Sequence, residues 1–228
     1  MLKSIIGEKI GMTQVFDARG NVVPVTIIKA GPCVITGLRT VEKDGYLAVQ
    51  LGFGEVLEKS LVNSQVNFFK KNNVSPKKVV REFRVTDVSA FSIGQEIKVS
   101  VFKVGDYVDV SALTKGKGYA GVIKRHNFSM QPVSHGQSDR TRARGSSGSA
   151  GHQKVFKGMK MSGHLGNECV TIQKLLVVNV DVEKSMMLIR GSVPAVKSGT
   201  LLISNTLKKI PAVQQEVKAK ARTKVGRK

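Results

Sequence analysis

Acidic residues are scarce in this chain. Its 228 residues include 37 Lys and Arg but only 16 Asp and Glu, which gives a formal net charge of +21 at pH 7. Such an excess of one sign is informative about binding partners rather than about the fold. Nucleic acid is the commonest partner of so basic a protein, and an anionic membrane surface is the alternative.

Cysteine and long apolar runs are also rare. Cys33 and Cys169 are the only cysteines and lie far apart in the sequence, which excludes a disulfide framework and predicts free thiols in a reducing compartment. No apolar run reaches the roughly 18 residues of a membrane span, and the start, MLKSIIGEKIGM, lacks the apolar stretch of a secretory signal. We therefore expect a cytoplasmic protein that does not enter a membrane.

The residue combinations that catalysis and metal binding require are missing. His164 and Cys169 are close in sequence, but no second pair completes a tetrahedral metal site. Ser134 beside His135 has no orienting acid, and the most basic region contains no paired carboxylates. The sequence predicts no enzyme, no metal, no cofactor and no small-molecule substrate.

A glycine-rich stretch, GKGYAG, matches the G-x-G-x-x-G pattern through Gly116, Gly118 and Gly121. A dinucleotide site would need a long amphipathic helix directly afterwards. The following VIKRHNFSMQPVSHG has scattered apolar residues and a proline, so we expect no such site. The stretch instead favours a backbone that can approach phosphates closely, with Lys115 and Lys117 beside it.

Short β-branched runs separated by turn residues predict a mainly β protein with minor α content. Hairpins are expected around DARGN and DVEKS, a turn at EKDG, and further strands in REFRV, QEIKVSVF, DYVDVSAL and GTLLISN. Short strands with many glycines favour a barrel over a broad open sheet. Helical spacing predicts a small helical insertion at about residues 56–80, where SPKKVV is either a second helix capped by Ser75 or the start of a strand.

The positive charge is concentrated in two segments. Residues 112–160 contain ten Lys and Arg and one acid, Asp139, and residues 208–228 contain eight Lys and Arg and one acid, Glu216. Both segments lack clear periodicity. We therefore predict a globular body at 1–111 and 162–207, a long basic loop at 112–161 that becomes ordered on a polyanion, and a flexible basic tail at 208–228.

Two short motifs in the long loop combine cations with aromatic rings. IKRHNF can pair phosphate and stack on an unpaired base, or it can be a solvated turn with Phe128 in a small core. FKGMKM can anchor the return of the loop while Lys157 and Lys160 face phosphate.

Several long stretches resemble one family. DVSALTKGKGYAGVIKRHNF, RGSSGS, KVFKGMKMSGHLGNECVT and LLVVNVD, together with IIGEKIGMTQVF near the start, are similar to the bacterial-type ribosomal protein L three family of the large subunit. The resemblance implies a translation-protein-type β-barrel and an extension that penetrates ribosomal RNA toward the peptidyl transferase centre. It also implies a role in early subunit assembly, near ribosomal proteins L fourteen and L nineteen. We expect a cytoplasmic ribosome, with an organellar ribosome as the less favoured alternative.

The same resemblance assigns residues by matching motif. The expected contacts to ribosomal RNA are Lys115, Lys117, Lys124, Arg125, His126, Arg140, Arg142, Arg144, Lys154, Lys157 and Lys160. The expected loop tip comprises Arg144, Gly145, Ser146, His152 and Gln153.

Two rival functions are an independent nucleic-acid-binding regulator, which would need base-reading elements, and a nucleotide-dependent enzyme that uses the glycine-rich turn.

Overall fold

A computed structural model describes residues 3–17, 19–149, 151 and 153–208 of the chain. The chain divides into two compact units. The first comprises Met1–Ala112 and Val170–Lys228, and the second comprises Leu113–Cys169. The C-terminal segment predicted to be a tail lies outside the described residues from position 209 onward.

The first unit contains a closed barrel of six strands. In barrel order these are β1 (Ser4–Phe16), β12 (Thr200–Asn205), β7 (Tyr107–Leu113), β10 (Cys169–Asp181), β11 (Met186–Arg190) and β2 (Val22–Ala30). β1 is antiparallel to both β12 and β2, and β11 is antiparallel to β10. Closure leaves these strands without a long free edge. The prediction of a mainly β fold with a barrel is confirmed.

Alternation of side chains explains why the barrel has a filled interior. Val108 and Val110 on β7, and likewise Leu201 and Ile203 on β12, lie two positions apart and are fully buried. Successive side chains of a strand point to opposite faces, so residues two apart share the inner face. Burying a β-branched or leucine side chain of this kind stabilises the fold by about 1.5–3 kcal/mol.

A second, four-stranded antiparallel sheet completes the first unit. Its order is β5 (Lys77–Arg84), β4 (Ala48–Glu55), β3 (Cys33–Arg39) and β6 (Glu96–Ile97). The helices of this unit are α1 (Val41–Asp44), α2 (Asn63–Lys71) and 3₁₀ turns at Glu58–Ser60 and Val99–Val101. α2 is amphipathic and buries Phe69. Gly45, with a positive φ of 79°, ends α1 where the sequence predicted only a turn.

The structure corrects two details of the sequence-based prediction. The helical insertion is shorter than 56–80, because residues 77–84 pair with β4 as a strand; of the two alternatives for SPKKVV, the strand is the one formed. QEIKVSVF forms a strand only at Glu96–Ile97 and then turns into a 3₁₀ helix. Both outcomes depend on whether a neighbouring strand supplies hydrogen bonds, which local residue preference does not determine.

The second unit has little regular structure. It contains β8 (Gly118–Ala120), α3 (Val122–His126) and β9 (Gly163–Leu165), with β8 antiparallel to β9. Asn127 ends α3 in the left-handed conformation, with φ 59°. In the described part of 127–162, there is no α-helix or strand. Elements of three to five residues are too short to show periodicity, which explains why the sequence predicted none here.

Candidate nucleic-acid interface

We call the second unit, residues 113–169, the extension. Its neck comprises residues 113–126 and 161–169, and its outer loop comprises residues 127–160. The extension contains ten Lys and Arg and two acids. Eight of the cations are exposed: Lys115, Lys117, Lys124, Arg140, Arg142, Lys154, Lys157 and Lys160. Arg125, His126 and Arg144 are half-buried.

The described cations of the extension have no carboxylate within ion-pair distance. The ion pairs found among the described residues all lie in the first unit, where Arg39 contacts Asp44 at 2.8 Å and Glu82 at 3.0 Å, and Lys70 contacts Glu58 at 3.5 Å. The positive charge of the extension is therefore uncompensated within this part of the chain. Such a surface attracts a polyanion, and the counterions condensed on the polyanion are released on binding.

Backbone packing in the neck places the first two cations. A Cβ atom on Gly166 would lie 2.3 Å from the carbonyl oxygen of Lys115 and 3.0 Å from Gly116 Cα, so only glycine permits the contact. The amide of Lys117 donates to the carbonyl of Leu165 at 2.9 Å. The glycine-rich stretch thus packs against the returning chain and presents Lys115 and Lys117 at the surface.

The helix after the glycine-rich stretch is only five residues long. A dinucleotide site requires a long helix whose N-terminus faces the pyrophosphate. In the described residues, no group of three His, Cys, Asp or Glu could hold a metal ion, and no helix is long and apolar enough to cross a membrane.

Two of the predicted contact residues bind the protein's own backbone. Arg125 Nη1 donates to the carbonyl oxygen of Met161 at 2.9 Å, and His126 Nε2 lies 3.1 Å from the same oxygen. The His126 ring also lies near Phe128, with 6.2 Å between centroids. Lys124 on the same helix is exposed.

Aromatic rings are exposed among these cations. The side chain of Tyr119 is 80% exposed, although its hydroxyl lies 2.8 Å from Ser162 Oγ, and Phe156 is 51% exposed. Exposed rings beside Lys and Arg suit unpaired bases, which stack on them while phosphates pair with the cations. Sequence reasoning missed Tyr119; an aromatic residue within a cationic glycine-rich stretch was the available signal.

Local turns organise the predicted tip. Arg144 donates to Ser147 Oγ, and Ser146 Oγ donates to the carbonyl of Gly148 at 3.0 Å. Gly145 has a positive φ of 83°, which explains a glycine at this position. Gln153 is exposed, whereas His152 lies outside the described residues.

Arg142 and Arg140 also take part in weak local contacts. Arg142 Nη1 lies 3.4 Å from Met130 Sδ, and the carbonyl of Arg140 accepts from the amide of Ala143 at 3.1 Å. Both side chains remain exposed. The outer loop is therefore held by turns and by a few contacts within the loop, such as the Gln131 amide donating to the Thr141 carbonyl oxygen at 3.1 Å, and its exposed cations stay available for an external partner.

The displaced pKa values that bear on stability lie in the first unit and have structural causes. Burial raises the pKa of the Cys33 thiol to about 11. A hydrogen bond from the Tyr46 hydroxyl at 2.7 Å, assisted by Arg39, lowers the pKa of the Glu82 carboxyl. Cys33 lies on β3 and Glu82 lies on β5 of the second sheet, so both groups have a structural role.

Known proteins with similar sequences identify the class. A family model described as Ribosomal protein L3 matches residues 85–187. The large ribosomal subunit protein uL3 of Endomicrobium trichonymphae is 68% identical over 228 residues, covering 100% of both chains. That of Brachyspira pilosicoli is 50% identical over 206 residues, covering 90% of this chain and 94% of its own, and that of Heliobacterium modesticaldum is 51% identical, covering 90% and 98%.

A β-barrel unit together with an uncompensated cationic extension, in a chain so similar to these relatives, defines a structural ribosomal protein of the large subunit. The chain belongs to the uL3 family of bacterial-type large-subunit proteins. The family resemblance found in the sequence and the expected location in the cytoplasmic ribosome are confirmed. As a subunit constituent, the chain partners ribosomal RNA and other ribosomal proteins, and its family is not an enzyme family.

Proposed function

We propose that the chain binds large-subunit ribosomal RNA directly through the extension, residues 113–169. The observation that carries this proposal is the set of eight exposed cations without a described carboxylate partner. RNA phosphates neutralise such a set and release condensed counterions, which favours binding without any preference for base sequence.

The cations divide into three groups along the extension. Lys115, Lys117 and Lys124 lie on the outgoing side of the neck, and Lys154, Lys157 and Lys160 lie on the returning side of the outer loop. Arg140, Arg142 and Arg144 lie between them. Lysines act as point charges, whereas an arginine can hold one phosphate with two parallel hydrogen bonds. The arginines therefore suit the part of the loop where position matters most.

RNA supplies the contacts that order the outer loop. Among its described residues the loop has no α-helix or strand, and its apolar side chains Met130, Val133 and Phe156 are exposed. Few apolar atoms are buried to offset the entropy of ordering the chain. Binding would supply the missing contacts, as in other segments that fold on their partner.

Family resemblance supports three finer parts of the proposal. The outer loop extends toward the peptidyl transferase centre, the protein assists early assembly of the subunit, and its neighbours include ribosomal proteins L fourteen and L nineteen. Depleting the protein should accordingly yield incomplete large-subunit particles. Normal particles that lack only this protein would contradict the assembly role.

Sucrose-gradient sedimentation tests the central proposal against its rivals. The tagged chain should travel with large subunits after a high-salt wash and should also bind a deproteinised large-subunit RNA transcript. A regulator would leave the subunit in the wash, and a nucleotide-dependent enzyme would bind a nucleotide in isolation. Release by the wash combined with failure to bind the transcript would contradict the proposal.

A double variant, Arg142→Ala with Arg144→Ala, tests the role of the outer loop. Neither side chain is fully buried, so the melting temperature of the free protein should barely change. Each arginine–phosphate contact contributes about 1.5–3 kcal/mol in a partly desolvated site. Mutant ribosomes should therefore show altered peptide-bond formation, or altered sensitivity to drugs that bind at the peptidyl transferase centre. The matched control is Lys3→Ala with Lys43→Ala, two exposed cations of the first unit. Wild-type ribosome behaviour in fully assembled mutant subunits would contradict the role.

A further inference from the structure

The two sides of the neck are joined by side chains as well as by the β8–β9 ladder. Arg125 and His126 on α3 both contact the carbonyl oxygen of Met161, at 2.9 Å and 3.1 Å. A carbonyl only accepts hydrogen bonds, so His126 Nε2 carries the proton in this contact. The Tyr119 hydroxyl meets Ser162 Oγ at 2.8 Å one residue farther along.

The position of the Arg125 guanidinium depends on a glycine. A Cβ atom on Gly163 would lie 2.7 Å from Arg125 Nη1 and 3.2 Å from its Cζ. Gly163 faces Ala120 in the β8–β9 ladder, and its φ lies outside the positive region. An alanine would therefore be compatible with the backbone but would displace the guanidinium from its place against the returning strand.

We infer that Arg125 is a positioning residue rather than a phosphate contact. It fastens α3 to the returning strand and so sets the direction in which the two sides of the outer loop leave the neck. This inference rests on the proposed function of the extension. It changes the role expected from the sequence, in which Arg125 and its neighbour His126 both bind RNA.

We call the contacts of Arg125 and His126 with the Met161 carbonyl oxygen the latch. The neck needs such additional contacts because it is small. β8 and β9 share only three residue pairs, and a ladder this short is marginal by itself. Ala120 and Val122 are its buried apolar residues, so its own core is minimal. Bringing the two ends of a long loop together also costs conformational entropy. A charge-assisted bond to Met161 holds the two sides together before RNA arrives, which reduces the ordering that binding must accomplish.

Substituting Gly163→Ala tests the latch without changing the charge of the protein. Gly11→Ala in β1 of the barrel is the control, because its added Cβ would meet no atom within 4 Å, its φ lies outside the positive region, and it lies outside the extension. In the free protein, Gly163→Ala should make the amides of β8 and β9 exchange about tenfold faster, the effect of losing one charged hydrogen bond. Amides of the barrel should be unaffected. The control should behave as wild type.

RNA binding then separates positioning from direct contact. With a large-subunit RNA transcript, Gly163→Ala and Arg125→Ala should each weaken binding about tenfold, and the double variant should weaken it no further. The salt dependence under Gly163→Ala should keep its slope. A phosphate contact predicts instead that Arg125→Ala reduces the slope by about one unit while Gly163→Ala leaves affinity unchanged, and that result would overturn the inference.

The free-protein measurement keeps this test independent of the proposed function. Unchanged exchange in Gly163→Ala would overturn the latch even if RNA binds tightly. Faster exchange with unchanged affinity would show that the latch has no positioning role. A wild-type chain that does not bind the transcript would overturn the proposed function, and with it the positioning role, whatever the exchange shows.

Discussion

Replacing the three lysines of the returning side with glutamine gives the sharpest test of how the extension binds. The variant is Lys154→Gln with Lys157→Gln and Lys160→Gln. All three side chains are exposed, and no carboxylate of the described residues pairs with them. Glutamine keeps much of their length and removes three charges. The melting temperature of the free protein should therefore stay at its wild-type value.

The expected magnitude follows from counterion release. Each neutralised phosphate contributes about 0.7–0.9 to the slope of log K against log salt. If at least six of the eight exposed cations contact phosphate, the wild-type slope is about −4 or steeper. Losing three contacts should make it shallower by about 2–3 units. An exposed charge contributes about 1 kcal/mol after screening, so affinity should fall by about a hundredfold at moderate salt.

Fluorescence anisotropy of a labelled large-subunit RNA transcript, measured from about 50 to 200 mM salt, provides both numbers. The control is Lys43→Gln with Lys59→Gln and Lys103→Gln, which removes three exposed lysines from the first unit. The control should change the slope by less than the test variant does. Equal slopes for the wild type and the test variant would show that the returning side does not contact phosphate.

Three further predictions concern side chains outside the outer loop. In the native protein a thiol reagent at about pH 8 should modify the exposed Cys169 but not the buried Cys33. Burial raises the pKa of Cys33 to about 11, so little of its reactive thiolate forms at that pH. Modification of both cysteines before the protein unfolds would contradict this prediction. Glu82→Gln should lower stability by about 1 kcal/mol at neutral pH. The Glu82 pKa is lower in the folded than in the unfolded protein, so the stability that its ionised carboxyl contributes is present above the unfolded pKa and is lost as pH falls through the folded value. In chemical denaturation, the free energies of unfolding of the variant and the wild type should therefore converge in acid. A difference between them that does not depend on pH would refute the assignment. Ile203→Ala should destabilise the barrel by about 3–4 kcal/mol, because the side chain is fully buried, whereas a loss below about 1 kcal/mol in denaturant titration would mean that the barrel interior is not packed there.

Much of the fold could be predicted from local patterns. DARGN and DVEKS do join antiparallel strands, because turn residues lie between runs whose apolar positions alternate. The alternation at Val108 and Val110 also predicts which faces are buried. Prediction was wrong for much of QEIKVSVF, where the chain turns into a 3₁₀ helix after Ile97. Strand propensity is high there, but it does not say where a partner strand ends.

The candidate site could be predicted in chemical class but not in detail. The number of cations in residues 112–160, and their single acid, follow from the sequence and point to a polyanion. The same count cannot distinguish Arg142, which is exposed, from Arg125, which binds the Met161 carbonyl at 2.9 Å. Both are arginines in a basic, glycine-containing context.

The sequence by itself determined the composition of the two regions. Apolar alternation makes a barrel favourable, and the lack of bulky apolar residues around RGSSGSAG prevents a core there. Only the tertiary structure decided that Gly163 faces Ala120 and leaves room for the Arg125 guanidinium. The register of β8 against β9 brings together residues that are distant in the chain, and register depends on the pairing of whole backbones rather than on any one residue.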